Sequence, residues 1–343
     1  MRTIPLVLWV IITSTTAVPG HAELTDVAGV QVYWDNDAFA KSHKTDRWYT
    51  NGIRVAFTYN KPPTVEAAKL LQNASELLLW DEVKPTLTYS FGQSMYTPGD
   101  ITIPGPQIND RPWAAFLYYG VTAHAVKETE FRTSELKIGL TGKYALGEQV
   151  QQGVHHLIAS NQPVGWDQQV RSRLGLQLSH ARTYRVLGDV NRSLFGFQVG
   201  WGAALGTLRS YGTASAAFTF GDLSARTAPL LIGNEGDFVI QDFGKSGQFR
   251  RPFAFIAANY TAVAYNYFLE GRTPYGHSDI QPKRSYNVVQ WGFSLPTQEW
   301  ICSKCPRLVY TQSRRSPEFS SAATSTNERA QRWGTVVFNW DLD

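Results

Sequence analysis

Gly52-Ile53-Arg54-Val55-Ala56-Phe57-Thr58-Tyr59 is the stretch on which the fold turns. Side chains of an extended strand alternate between its two faces. Ile53, Val55, Phe57 and Tyr59 therefore share one face, and Gly52, Arg54, Ala56 and Thr58 share the other. An arginine facing hydrocarbon costs about 2–4 kcal/mol at the bilayer midplane. If this strand crosses a membrane, Arg54 must look into a lumen and the apolar face must look at lipid.

The same alternation recurs along the chain. Leu87, Tyr89 and Phe91 oppose Thr88, Ser90 and Gly92, and Leu136, Ile138 and Leu140 oppose Glu135, Lys137 and Gly139. Phe195, Phe197, Val199, Trp201 and Ala203 oppose Gly196, Gln198, Gly200 and Gly202. Val289, Trp291, Phe293 and Leu295 form one late face, and Val336, Phe338 and Trp340 another. The pattern predicts strands over 27–37, 49–60, 85–96, 112–125, 131–142, 171–184, 194–207, 211–221, 252–266, 284–296, 306–315 and 332–341. Twelve is an even number, as a closed single-chain bacterial barrel usually has. Closure leaves no strand edge unpaired in lipid.

Composition agrees with this reading. The opening residues look like an export signal: Arg2, an apolar core from Leu6 to Ile12, and small residues around Gly20-His21-Ala22. This sets residues 1–22 as a signal peptide and 23–343 as the barrel domain. Beyond the signal there is no run of about 18 apolar residues, so no transmembrane helix is expected. Aromatic residues make up 13% of the chain against 17% charged residues. That balance suits aromatic girdles at two membrane interfaces better than a soluble exported domain. The formal charge of +4 falls to +3 when Arg2 is removed, which gives no reason to expect a nucleic-acid partner. The two cysteines, Cys302 and Cys305, lack the βαβ context of a redox motif and read as a local disulfide in a turn.

Two segments break the strand pattern. Thr64 to Leu79 is amphipathic with helical spacing, and reads as a helix at the membrane surface or one that plugs the barrel. Ala145 to Ser160 is the second, and there Gln151 and His155 stand four apart, on one face of a helix.

At the meeting of the first two strands, Asp35, Asn36, Asp37 and Asp46 crowd together beside Arg47 and Thr50. Like charges this close repel unless a cation, a basic side chain or a proton intervenes, and hard oxygen ligands suit calcium. With the N-terminus in the periplasm, odd-to-even connections face outward. The acidic crest, the loop from Thr97 to Arg111 and the His155 helix then fall at one end.

At these residues the chain resembles the outer-membrane lipid A 3'-O-deacylase family. The resemblance rests on Asp35-Asn36-Asp37, Tyr49-Thr50-Asn51-Gly52, Gly92-Gln93-Ser94-Met95-Tyr96-Thr97-Pro98 and Asp110-Arg111-Pro112-Trp113-Ala114. It continues through Gly147-Glu148-Gln149-Val150-Gln151, His155, Gly165-Trp166-Asp167-Gln168-Gln169 and Ser316-Pro317-Glu318-Phe319. It implies a twelve-stranded outer-membrane barrel that acts as a calcium-dependent esterase on lipid A of lipopolysaccharide, releasing the 3'-linked acyl chains; a monomer is expected. It carries functional roles to Asn36, Asp37, Thr50, Gln151 and His155. The chain departs from the pattern at its end, Trp340-Asp341-Leu342-Asp343, which is not aromatic. Asn161 and Asp100 stand roughly where some relatives carry another charged side chain.

Ester hydrolysis needs an activated nucleophile and stabilisation of the oxyanion. No Gly-x-Ser-x-Gly elbow is present, so a water activated by His155 is the expected nucleophile. Asp37 and Asn36 are the expected calcium ligands, with Asp37 alternatively orienting the histidine. Thr50, beside Asp37 across the hairpin, would bond substrate or water, and Gln151 would orient the imidazole or the water. Arg111 and Arg47 are candidate partners for lipid A phosphates, or plain surface charges. Two other classes remain open on sequence: a non-catalytic barrel acting as a narrow pore or structural protein, and an acyltransferase using a Ser or Thr nucleophile.

Overall fold

The computed structural model describes residues 27–40, 47–59, 86–127, 129–188, 194–221, 227–230, 239–242, 252–302, 304–321 and 330–342. The expected signal peptide, the helix expected over 64–79, and Asp46 lie outside the described residues.

Twelve antiparallel strands close into one barrel. They are β1 (Val27–Asn36), β2 (Trp48–Tyr59), β3 (Thr86–Thr97), β4 (Ala114–Lys127), β5 (Glu130–Thr141) and β6 (Leu174–Leu187). The second half is β7 (Phe195–Gly206), β8 (Arg209–Gly221), β9 (Phe253–Asn266), β10 (Ser285–Leu295), β11 (Arg307–Arg315) and β12 (Gln331–Asp341). Each strand pairs with its neighbours in sequence, and β1 closes the ring on β12 with Tyr33 opposite both Arg54 and Val337. Every strand expected from alternation is present, within a few residues at its ends. Alternation does not reveal two short ribbons, Thr227–Leu230 with Val239–Asp242 and Ile280–Pro282 with Phe319–Ser321. Short helices lie in the connections: α1 (Gly147–Leu157), α2 (Tyr267–Glu270) and α3 (Thr297–Trp300). Cys302 and Cys305 are disulfide-bonded in the turn between β10 and β11, with their Cα atoms 5.2 Å apart.

The two faces divide as Arg54 requires. Phe91, Ile138, Leu176, Trp201, Phe218 and Trp291 are exposed on the outer wall. Arg54 is buried in the lumen and donates to Glu135 at 2.8 Å, and Lys137 reaches the other Glu135 oxygen at 3.1 Å. Thr122 completes this cluster with a 3.1 Å bond to Glu135. Near the end that carries the odd-to-even connections, aromatic side chains fill the lumen. Tyr49, Tyr96, Phe116, Tyr118, Tyr286 and Trp333 pack there with Tyr267 and Phe268, which α2 pushes inward. A cavity of about 40 Å³ remains beside them, lined by Ser94, Tyr118, Lys137, Gln177 and Arg209.

Candidate active site on the outer wall

The acidic crest resolves its own repulsion by splitting. Asp35 follows strand parity into the lumen, where Tyr49 Oη donates to it at 2.6 Å. Strand β1 ends at Asn36, and a single turn of 3₁₀ helix, Asp37–Phe39, follows. Parity therefore stops before Asp37. Asn36 caps that turn, its Oδ1 accepting from Ala38 N at 2.8 Å. Asn36 Nδ2 donates to Asn51 Oδ1 at 3.4 Å, and the same oxygen accepts from Trp34 Nε1 at 3.0 Å. Trp34 is exposed on the outer wall, so Asn36 and Asn51 lie toward the lipid side of the rim. Asp37 is buried and accepts from Arg47 N at 2.9 Å.

Strand β2 enters this rim irregularly. Trp48 has φ of 65°, a left-handed conformation uncommon outside glycine. Its indole donates to Asp110 at 3.2 Å, and the Arg47 guanidinium lies over its ring at 4.6 Å. Burial pushes the Asp110 carboxyl above the usual range, against hydrogen bonds from Gly99 N and Arg111 N. A register shift between Tyr49 and Asn51 leaves Thr50 as a bulge. At the bulge the Thr50 hydroxyl bonds that of Thr97 of β3 at 2.7 Å.

On β3 and β4 the outer face is not all open to lipid. Gln93, Met95 and Thr97 share the face of exposed Phe91, yet all three are buried. The connection from β5 to β6 folds back and covers them. Met95 and Ala115 pack with Ala145, Trp113, Trp166 and Ile101, with Val150 of α1 alongside. Gln93 Nε2 donates to Ala145 O at 2.5 Å, Val164 N to Ile101 O at 3.0 Å, and Val170 N to Trp113 O at 2.8 Å. Gly147 opens α1 because a Cβ there would come within 2.5 Å of the Trp166 ring. A patch of barrel wall is thus roofed by protein instead of lipid.

The helix α1 delivers the two residues expected from its spacing. Gln151 and His155 are both buried, while Gly153 and His156 look outward from the patch. Trp166 Nε1 donates to Gln151 Oε1 at 2.8 Å. His155 Nδ1 bonds the Asn161 backbone carbonyl at 2.5 Å. A carbonyl only accepts, so Nδ1 is the donor in this bond, and in the neutral imidazole Nε2 is the basic nitrogen.

The expected residues therefore assemble in two groups on one wall. Asn36, Asp37 and Asn51 form the rim group, and Gln151 and His155 form the helix group. Thr97 bonds Thr50 on one side, and Met95, two residues earlier on the same face, packs against Trp166, which holds Gln151. Arg47 stays at the rim. Arg111 does not, and its expected role as a phosphate partner is corrected by its position. It is fully buried in the mouth of the barrel, where Nη1 meets Glu318 at 3.4 Å and the guanidinium stacks on Tyr96 at 4.5 Å. Asn51, Thr97, Asn161 and Trp166 were not singled out as site residues. Asn51, Thr97 and Trp166 sit inside the motifs quoted above, but what each one touches depends on folding.

The groups along this rim, the Asp37 carboxylate, the amide oxygens of Asn36 and Asn51, and the hydroxyls of Thr50 and Thr97, are hard oxygen donors. That chemistry fits calcium better than a thiolate- or imidazole-seeking metal. Among the described residues, no three His, Cys, Asp or Glu side chains converge on one point.

The family model described as outer membrane protein LpxR matches residues 6–342. Among solved structures, LpxR from Salmonella typhimurium is similar with a TM-score of 0.72 at 17% identity, covering 92% of this chain and 100% of that one. The translocator domain of the autotransporter NalP from Neisseria meningitidis covers 97% and 94%, with 9% identity and a TM-score of 0.35. No curated protein matches.

Proposed function

The chain belongs to the LpxR family of outer-membrane proteins, and from that premise we propose that it is a lipid A deacylase that hydrolyses the 3'-linked acyl ester at the outer leaflet. The observation that carries this reading is His155, buried on the lipid side of the wall with Nδ1 held by the Asn161 carbonyl and Gln151 one helical turn before it. A lipid ester arrives along that wall, whereas a lumen site would be closed to it.

In this mechanism His155 Nε2 takes a proton from water as the oxygen attacks the ester carbonyl. A bond forms between that oxygen and the carbonyl carbon, and negative charge collects on the carbonyl oxygen. The bond from carbon to the sugar oxygen then breaks, and the imidazolium returns the proton to the sugar oxygen. The Asn161 carbonyl stabilises the imidazolium while it exists. Asp37 and Asn36 would hold calcium, with Asn51 and Thr50 as neighbouring oxygen donors. Calcium, when bound, would supply positive charge for the developing oxyanion. Arg47, at the rim, is placed for a lipid A phosphate.

Mass spectrometry of lipid A from cells with and without the protein tests this. Loss of the 3'-linked acyl mass supports the deacylase. A gain in acyl mass would indicate a transferase, and an unchanged spectrum a non-catalytic barrel. The pore reading is disfavoured by the aromatic side chains that fill the mouth of the lumen.

A further inference from the structure

We propose that Trp166 is a positioning residue for the reaction, holding Gln151 so that its amide nitrogen, not its oxygen, faces the reacting ester. This rests on the deacylase reading and extends it to a residue with no assigned role.

The argument begins with donors and acceptors. An indole N–H can only donate. Its partner at 2.8 Å must therefore be Gln151 Oε1, and that settles which way round the amide lies. Gln151 Nε2, with two hydrogens, is left as the free end. It is buried and has no hydrogen-bond partner. Buried polar atoms in native proteins are nearly always satisfied, and exceptions call for a ligand, a water or a function. Gln151 lies one helical turn before His155, and both are buried on the same side of α1. A donor fixed beside the general base is what a carbonyl oxygen gaining charge requires.

The indole itself is clamped. Its ring lies 5.0 Å from that of Trp113, and Gly147 leaves no room for a Cβ against it. The Trp166 carbonyl accepts from Gln169 Nε2 at 2.8 Å, which fixes the backbone of the same turn. The ring therefore cannot swing away without unpacking the roof. Phenylalanine in its place would keep an aromatic ring in the roof while removing the N–H, with some loss of ring volume.

The test is a double-mutant cycle on the purified full-length barrel in detergent, with lipopolysaccharide as substrate and released acyl chain as the readout. Removing one oxyanion donor typically costs about 10²–10³-fold in turnover, so Gln151→Ala should fall in that range. Trp166→Phe should lower kcat roughly tenfold with KM little changed, since it loosens the donor without deleting it. The double variant should match Gln151→Ala alone, because the indole acts only through the amide. A separate reading needs no activity: the Trp166 indole N–H resonance, identified by its loss in Trp166→Phe, should move in Gln151→Ala. Full activity in Trp166→Phe would overturn the proposal. So would losses that multiply in the double variant, or an indole resonance indifferent to Gln151. If the wild-type barrel releases no acyl chain while the resonance moves as expected, it is the deacylase reading that fails.

Discussion

The lumen of this barrel and the roofed patch on its outer wall are both polar, but they treat their polar groups in opposite ways. In the lumen, Glu135 is shared by Arg54 and Lys137, and Glu318 by Arg111 and Arg315. The charges are many, and each of these carboxylates carries two ion pairs. On the wall the set is nearly neutral: amides, hydroxyls, an imidazole and one carboxylate. There Gln151 Nε2 has no partner, and His155 Nδ1 donates to a backbone carbonyl. Matched charge is what holding a shape requires. A sparse set that pairs an unsatisfied amide donor with an imidazole is what a reaction requires. The richer cluster of charge is therefore the poorer candidate for chemistry.

The sharpest way to break this comparison is His155→Ala. General-base catalysis contributes about 10²–10⁴-fold, so loss of acyl release by roughly a thousandfold is expected while the barrel still assembles. Lipid A mass spectra and heat-modifiable migration on gels check the two halves. Retained activity would move the site elsewhere.

The lumen should answer in stability instead. Glu135→Ala leaves Arg54 and Lys137 as uncompensated buried charges, at a cost of roughly 3 kcal/mol. A lower midpoint in denaturant with acyl release intact would sharpen the contrast. A collapse of activity at unchanged stability would blur it.

Asp37→Asn comes next. It keeps an oxygen at the rim and removes the Asp37 charge. If that charge holds calcium, release of the acyl chain should fall by about ten- to a hundredfold, with higher calcium restoring part of it. A calcium titration of both proteins decides.

The smallest effect concerns pH. Burial would raise the Glu318 carboxyl, but Arg315 and Arg111 beside it hold it below the usual glutamate range. A depressed folded value means stability that is present above the ordinary glutamate pKa and is lost as pH falls through the lower one. The thermal midpoint should therefore drop as pH is taken from about 5 toward 3. Glu318→Gln should flatten that slope.

Most of the fold was legible because period-two alternation carries it. Arg54 against Val55 sets inside from outside, and the same signal runs through β3, β5, β7, β10 and β12. The short ribbons escaped because three- and four-residue strands are too brief to alternate. The helix carrying Gln151 and His155 was legible from its four-residue spacing. What the roof covers was not. Gln93 and Thr97 read as ordinary outer-face positions of β3, and only the return of a sequence-distant segment buries them. Parity likewise misleads at the strand tip, where a 3₁₀ turn takes over at Asp37 and a bulge falls at Thr50. Arg111 looked like a loop charge, but its partner Glu318 lies near the other end of the chain.

One consequence follows from where the roof sits. A site on the convex side of a closed and filled cylinder is reached by molecules drifting sideways in the leaflet, never by passage through the protein. Supply is then set by surface density and by the fluidity of the lipid sheet. In the proposed hydrolysis, water would descend from above to meet an ester that stays below, which would put the chemistry at the seam between two solvents.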